Sequence, residues 1–161
     1  MKEMKTKYIL QILTITIISF LSSCSKEEVT PFDHPFFHIH VDNQDRVSVA
    51  SIRRDTIDYK VYLSAKLQFE PIDVKYEIVP GEGLEAGRDY EVVTTGNTLT
   101  FAQGIFERPI SIAWKESVLD PEKNNTLTIR LLSNSKGYTI GLPGPDKIQS
   151  SLLITKVAAS N

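Results

Sequence analysis

The sequence predicts an all-β domain, an antiparallel β-sandwich of seven or eight strands preceded by a short N-terminal targeting segment. Two observations carry the fold. Apolar and polar residues alternate with a period of two in short runs rich in β-branched and aromatic residues, and helical periodicity is missing. Clusters of Gly, Pro, Asn and Asp separate those runs at sandwich-like spacing.

The N-terminal segment reads as targeting rather than fold. Lys2, Lys5 and Lys7 give a positive start, and Tyr8 to Leu21 form fourteen mostly apolar residues. A membrane-spanning helix needs ~20 apolar residues. A charged start, a short apolar stretch and small residues before a cut site match a secretory signal over residues 1–23. Residues 24–35 carry charges and two prolines without periodicity and read as a tether. At ~3.5 Å per residue, the eleven residues after position 24 reach up to ~40 Å. Residues 36–161 are the domain.

The strands follow in order. Phe36 to Val41 and Val47 to Ile52 supply the first two. Tyr59, Val61, Leu63 and Ala65 alternate with Lys60, Tyr62 and Ser64. Ile72, Val74, Tyr76 and Ile78 alternate with Asp73, Lys75 and Glu77, and Leu99 and Phe101 with Thr98 and Thr100. Ile110, Ile112 and Trp114 share one face, as do Leu127, Ile129 and Leu131. Ser151 to Val157 forms the last strand. Each run has an apolar face for the core and a wet face. Pro109 predicts an edge or first-residue position, because proline has no N–H for a ladder.

Cys24 is the only cysteine, which excludes an intrachain disulfide framework. In Leu21-Ser22-Ser23-Cys24 it resembles a bacterial lipobox, and the resemblance implies a lipidated N-terminus. The alternatives are a secreted chain with a free thiol and a short N-terminal anchor. Two or three acyl chains at ~0.8 kcal/mol per buried CH₂ give stable anchoring. Ser25-Lys26-Glu27-Glu28 resembles the surface-export signal of Bacteroidota lipoproteins, with Lys26, Glu27 and Glu28 carrying the likeness; a polar tether explains the same residues. The implied location is the outer membrane, lipid-anchored and facing outward.

Cleavage before Cys24 removes three lysines and one glutamate, which leaves 15 basic and 19 acidic residues and a formal net charge of −4. A mildly acidic domain lacks the basic surface that nucleic acid requires. The expected partners are the membrane through its anchor, a polysaccharide and an outer-membrane protein complex.

Gly83-Leu84-Glu85-Ala86-Gly87-Arg88-Asp89-Tyr90, followed by Gly96-Asn97-Thr98-Leu99-Thr100-Phe101 and Gly104, resembles the Calx-beta pattern. The likeness covers roughly residues 70 to 135 and implies an immunoglobulin-like sandwich. Calcium-binding members carry acids after the isoleucine strand, where this chain reads Ala113-Trp114-Lys115-Glu116-Ser117. A lysine there opposes a cation that needs six to eight oxygen ligands. Asp89 then ties its turn rather than binding calcium. The segment from Tyr138 to Lys147 looks like one found in small Bacteroidota lipoproteins near glycan-uptake systems, which makes a glycan the implied ligand.

Chemistry-bearing residues are few. His38 and His40 fall on one face of the first strand, and Asp33 or Asp42 would be a third metal ligand; an exposed strand face explains the pair equally. Asp89, His38 and His40 are the nearest approach to a metal site, and no metal or other cofactor is expected. Glu82, Glu85, Asp89 and Glu91 could flank a glycosidic bond, but they surround a turn, where solvated acids are common. No nucleophile elbow, P-loop or dinucleotide fingerprint is present, so no catalytic residue is assigned and the protein is read as a non-enzyme. Candidate ligand contacts are aromatic: Trp114 at a strand end, Tyr62 on a wet face and Tyr138 at a turn. The expected function is a non-catalytic surface lipoprotein accessory to glycan binding or uptake, with a docking subunit of an outer-membrane complex as the alternative.

Overall fold

The computed structural model describes residues 34–159. The expected signal segment, Cys24, the Lys26-Glu27-Glu28 motif and Asp33 lie outside these residues. Within them the chain is all β, with two five-stranded sheets and no helix.

The ten strands are β1 (Phe36–Ile39), β2 (Arg46–Ala50), β3 (Thr56–Ser64), β4 (Ile72–Pro80), β5 (Tyr90–Val92), β6 (Thr98–Phe101), β7 (Glu107–Trp114), β8 (Thr126–Asn134), β9 (Thr139–Ile140) and β10 (Ser151–Val157). The first sheet has the order β5-β7-β3-β1-β9, and the second β2-β10-β8-β4-β6. Eight of these match the alternating runs of the sequence. The count of seven or eight is corrected to ten by β5 and β9, which are three and two residues long. Segments that short cannot display an alternation.

The sheets are also not wholly antiparallel. β1 pairs with β9, and β2 with β10, in parallel. The cause of the second pairing is a crossing of the chain between sheets. After β1 pairs antiparallel with β3, the chain turns at Val41–Gln44, with Asp42 and Asn43 at positive φ of 49° and 62°. Short polar side chains tolerate that left-handed conformation. The turn delivers β2 to the free edge of β10 in the other sheet, running alongside it.

The core lies between the sheets. Val61, Ile110 and Ile112 of the first sheet and Val74, Ile129 and Ile154 of the second are fully or almost fully buried. In β3 the burial pattern alternates from Tyr59 through Val61 to Leu63, and in β4 from Ile72 through Val74 to Tyr76. The pleat therefore converts the period-two pattern directly into an inner and an outer face.

Pro109 shows how a proline fits inside a ladder of seven residue pairs. It faces Lys60 across the β3–β7 pair. The Leu63 N–H donates to the Phe106 carbonyl at 2.8 Å, and bonded and non-bonded pairs alternate along an antiparallel ladder. The Pro109 pair is thus a non-bonded one. Its nitrogen points away from β3, to the side where β5 pairs only with residues 112 to 114. The proline occupies an uncovered stretch of edge.

The loops gather at two ends. At one end lie the start of β1, the β3–β4 and β6–β7 connections and the β8–β9 turn. At the other lie the β2–β3, β4–β5 and β7–β8 connections and the end of β10. At this second end Gly81 passes so close to Asn124 that a Cβ would collide with its backbone carbonyl, which locks the β4–β5 and β7–β8 loops together.

Candidate functional site

Two places hold polar chemistry arranged by the fold: a buried ion pair at the β10 end, and a row of rings on the outer face of the first sheet.

The ion pair begins in β10. Leu152 and Ile154 point into the core, and the next inward position is Lys156, which is 2% exposed. Its Nζ donates to the Lys115 carbonyl and Ser117 Oγ, each at 2.6 Å, and to the Asp89 carbonyl at 3.2 Å. Three acceptors match the three hydrogens of an ammonium. Burial pulls the Lys156 pKa down, against the opposing pull of the Asp89 carboxylate. Asp89 is fully buried, with Oδ1 3.7 Å from Nζ. Its Oδ2 accepts from Arg88 Nη2 at 2.6 Å, Arg88 Nε at 2.9 Å and the Glu85 amide at 2.8 Å. Burial alone would push this carboxyl up. The bonds from Arg88 and the Glu85 amide, with the nearby Ser117 hydroxyl and the Arg88 charge, outweigh burial and hold it below the usual carboxylate range. Two N–H groups of one guanidinium converging on Oδ2 favour the ionised form.

Asp89 therefore ties the turn of the Gly83 to Tyr90 segment to the last strand. Its Oδ2 is committed to protein donors, while Oδ1, buried and without a hydrogen-bond donor, faces the Lys156 ammonium 3.7 Å away. Glu85 pairs with Arg88 at 3.3 Å and Glu91 with Lys115 at 3.2 Å, while Glu82 is exposed. The acids of this segment are not gathered around a cleft. Lys156 was missed in the sequence, although Leu152, Ile154 and Lys156 at period two put a lysine on an apolar face.

Trp114 lies next to this pair. It is 2% exposed, and its Nε1 donates to the Tyr59 hydroxyl at 3.0 Å. Burial pushes Tyr59 up to about 12, with the Trp114 bond working the other way. Lys156 Nζ lies 5.9 Å from the indole centroid, within cation–π range. The tryptophan is a core residue. Its small exposed edge lines an open depression of about 890 Å³, together with Ile52, Lys115, Ser117 and Val118 among others. Tyr138 is half-buried: its ring stacks 6.3 Å from Phe37, and its hydroxyl donates to Gln68 Oε1 at 2.7 Å. It braces a turn.

Tyr62 is different. It lies opposite His38 in the β1–β3 ladder, on the outer face. Its ring stacks on His40 at 4.7 Å and 17°, and lies 5.5 Å from His38. The two imidazoles stack on each other at 5.2 Å. All three side chains are half-buried. Their tautomers follow from their partners. Gln149 Nε2 donates to the Asn43 carbonyl at 3.2 Å, which turns its Oε1 toward His38 Nδ1 at 3.0 Å. His38 must donate there, so its neutral Nε2 is an acceptor. His40 Nδ1 accepts the Asn43 amide at 3.1 Å, so its neutral Nε2 carries the proton and donates. Burial holds His38 below its ordinary value; the Gln149 bond opposes this and the His40 charge adds to it.

Asp42, one of the two alternatives for a third ligand beside His38 and His40, is exposed on its turn. Among the described residues no three His, Cys, Asp or Glu side chains come close enough to hold an ion. No family model matches the chain, and no curated protein matches it.

Proposed function

We propose that the protein is a lipid-anchored, non-catalytic binding module of the outer-membrane surface that captures a glycan on the outer face of its first sheet. The observation that carries this reading is the row formed by His38, His40 and Tyr62. It sets an acceptor nitrogen beside a donor nitrogen and next to a phenol ring. A sugar hydroxyl both donates and accepts, and a pyranose offers apolar C–H faces to an aromatic ring. Planar side chains with polar edges suit that mixed surface, and the bonds of His38 to Gln149 and of His40 to the Asn43 amide, with the stacking of Tyr62 on His40, hold the rings in place before a ligand arrives.

We also propose that the sandwich is immunoglobulin-like. The order β1-β3-β7-β5 parallels the A-B-E-D sheet of immunoglobulin-like domains, and β10-β8-β4 parallels G-F-C. That order, with the Gly83 to Tyr90 turn, supports a Calx-beta-like sandwich in which the calcium ligands are replaced by the Asp89–Lys156 tie.

The test is affinity electrophoresis of the protein through gels containing a panel of polysaccharides. One polysaccharide retards the native protein. Tyr62→Ala with His40→Ala weakens binding at least ~10-fold, equivalent to ~1.4 kcal/mol, with an unchanged circular dichroism spectrum. Retardation that survives the double substitution contradicts the site. A docking subunit is the second reading, favoured by Val118, 97% exposed, and Ile52, 58% exposed, at the rim of the depression beyond Trp114. It predicts a blank panel and co-purification with an outer-membrane protein.

A further inference from the structure

The tether end of the domain carries its own apolar surface. Phe69 is 74% exposed, Leu67 50%, Ile105 41% and Phe106 38%. Leu67 and Phe69 sit in the β3–β4 loop, and Ile105 and Phe106 in the β6–β7 loop. The two loops meet, since a Cβ on Gly104 would lie 4.0 Å from Leu67 Cδ1. The β8–β9 turn joins them through Tyr138 to Gln68 and Lys136 to Glu70. Side chains this apolar, grouped on adjoining loops, mark a surface that is covered in use.

The same end receives the N-terminal chain. Phe36 pairs with Ser64, the last residue before the β3–β4 loop. The Thr139 amide donates to the Pro35 carbonyl at 3.3 Å, and His34 Nε2 lies 2.7 Å from Thr139 Oγ1. Nine residues separate Cys24 from His34, a reach of at most about 32 Å when extended. A short tether holds whatever lies at its root at high effective concentration next to its anchor.

We propose that Leu67, Phe69, Ile105 and Phe106 form a membrane-resting face that seats the domain on the lipid surface to which its own N-terminus is fixed. The inference rests on the reading of Cys24 as the lipidated residue. Apolar tips enter the boundary between headgroups and acyl chains. The seating also orients the ring row. β1 and β3 then rise from the membrane, so His38, His40 and Tyr62 face sideways rather than down.

Cys24 is the only cysteine, so acylation leaves the chain without a free thiol and a new cysteine becomes the sole labelling position. The full chain is produced in a lipidating cell as wild type, Phe69→Cys and Val118→Cys. Each protein is treated with a thiol-reactive, polarity-sensitive dye. Each is then reconstituted into phosphatidylethanolamine–phosphatidylglycerol vesicles with brominated acyl chains. The expected result is a blue-shifted, bromine-quenched dye at position 69, a water-like unquenched dye at position 118, and no labelling of the wild type. A water-like, unquenched dye at 69 with an unlabelled wild type overturns the membrane-resting face and leaves the anchor standing. Labelling of the wild type overturns the anchor and this inference together. Both positions are highly exposed, so neither substitution touches the core.

Discussion

Asp89→Ala lowers the unfolding free energy by ~3–5 kcal/mol, the range for removing one partner of a buried ion pair. Lys156 is then left as a charge enclosed among the Lys115 and Asp89 carbonyls and Ser117, without its carboxylate. Arg88 loses both of its bonds to Oδ2, and the Glu85 amide loses its acceptor. Domains of this size are stable by only ~5–15 kcal/mol, so the variant is marginal. Urea unfolding followed by Trp114 fluorescence measures the effect. Asp89→Leu with Lys156→Met recovers much of the loss, because the cost of the single change lies in the unpaired charge rather than in the absence of attraction.

The same carboxylate shapes the acid limb of stability. Asp89 titrates below its ordinary value in the folded protein. Its contribution is fully present above the unfolded value of about 4, and is lost as pH falls through the lower folded value. Asp89→Asn removes that part of the pH dependence, so its stability falls less steeply below about pH 4 than that of the native protein.

Trp114→Ala is the second large effect, at ~3–5 kcal/mol for loss of a buried indole. It opens a cavity at the end of β7 and strips the buried Tyr59 hydroxyl of its donor. Trp114→Phe costs less, because it keeps most of the volume and gives up the Nε1 bond. Neither change alters retention by a polysaccharide that binds at Tyr62 while the domain remains folded. Combining a stability assay with the affinity gels therefore separates the two aromatic positions: Trp114 acts on unfolding, and Tyr62 on binding.

These residues show how far the linear pattern reaches. Alternation made the long strands legible, because in β3, β4, β7 and β8 each side chain's fate depends on which face it takes, and faces change every residue. The inward Phe37 and Ile39 and the outward His38 and His40 follow from the same rule. The short β5 and β9 were invisible to it. The parallel pairings were hidden too: β2–β10 depends on the chain crossing between sheets at Asp42 and Asn43, β1–β9 on the crossing between β8 and β9, and direction leaves no mark in hydrophobicity. Trp114 shared the apolar face of Ile110 and Ile112, and that alternation placed it correctly inside despite its position beside a loop.

The candidate sites depend on long-range proximity, which is harder to read. Asp89 and Lys156 stand far apart in sequence, and only the folded β10 brings them within 3.7 Å. Tyr62 joins the histidines because the β1–β3 register sets it opposite His38. The tautomers of His38 and His40 rest on Gln149 and Asn43, polar residues of two separate loops that no spacing rule connects to a strand.

Mass spectrometry of the mature protein from its native cell tests the central claim, a binding domain moored by one acylated cysteine. The account predicts a chain that begins at Cys24 and carries a mass increment matching a diacylglyceryl thioether, with or without a further N-acyl group. A mature N-terminus elsewhere, or a Cys24 with an unmodified sulfur, would contradict it.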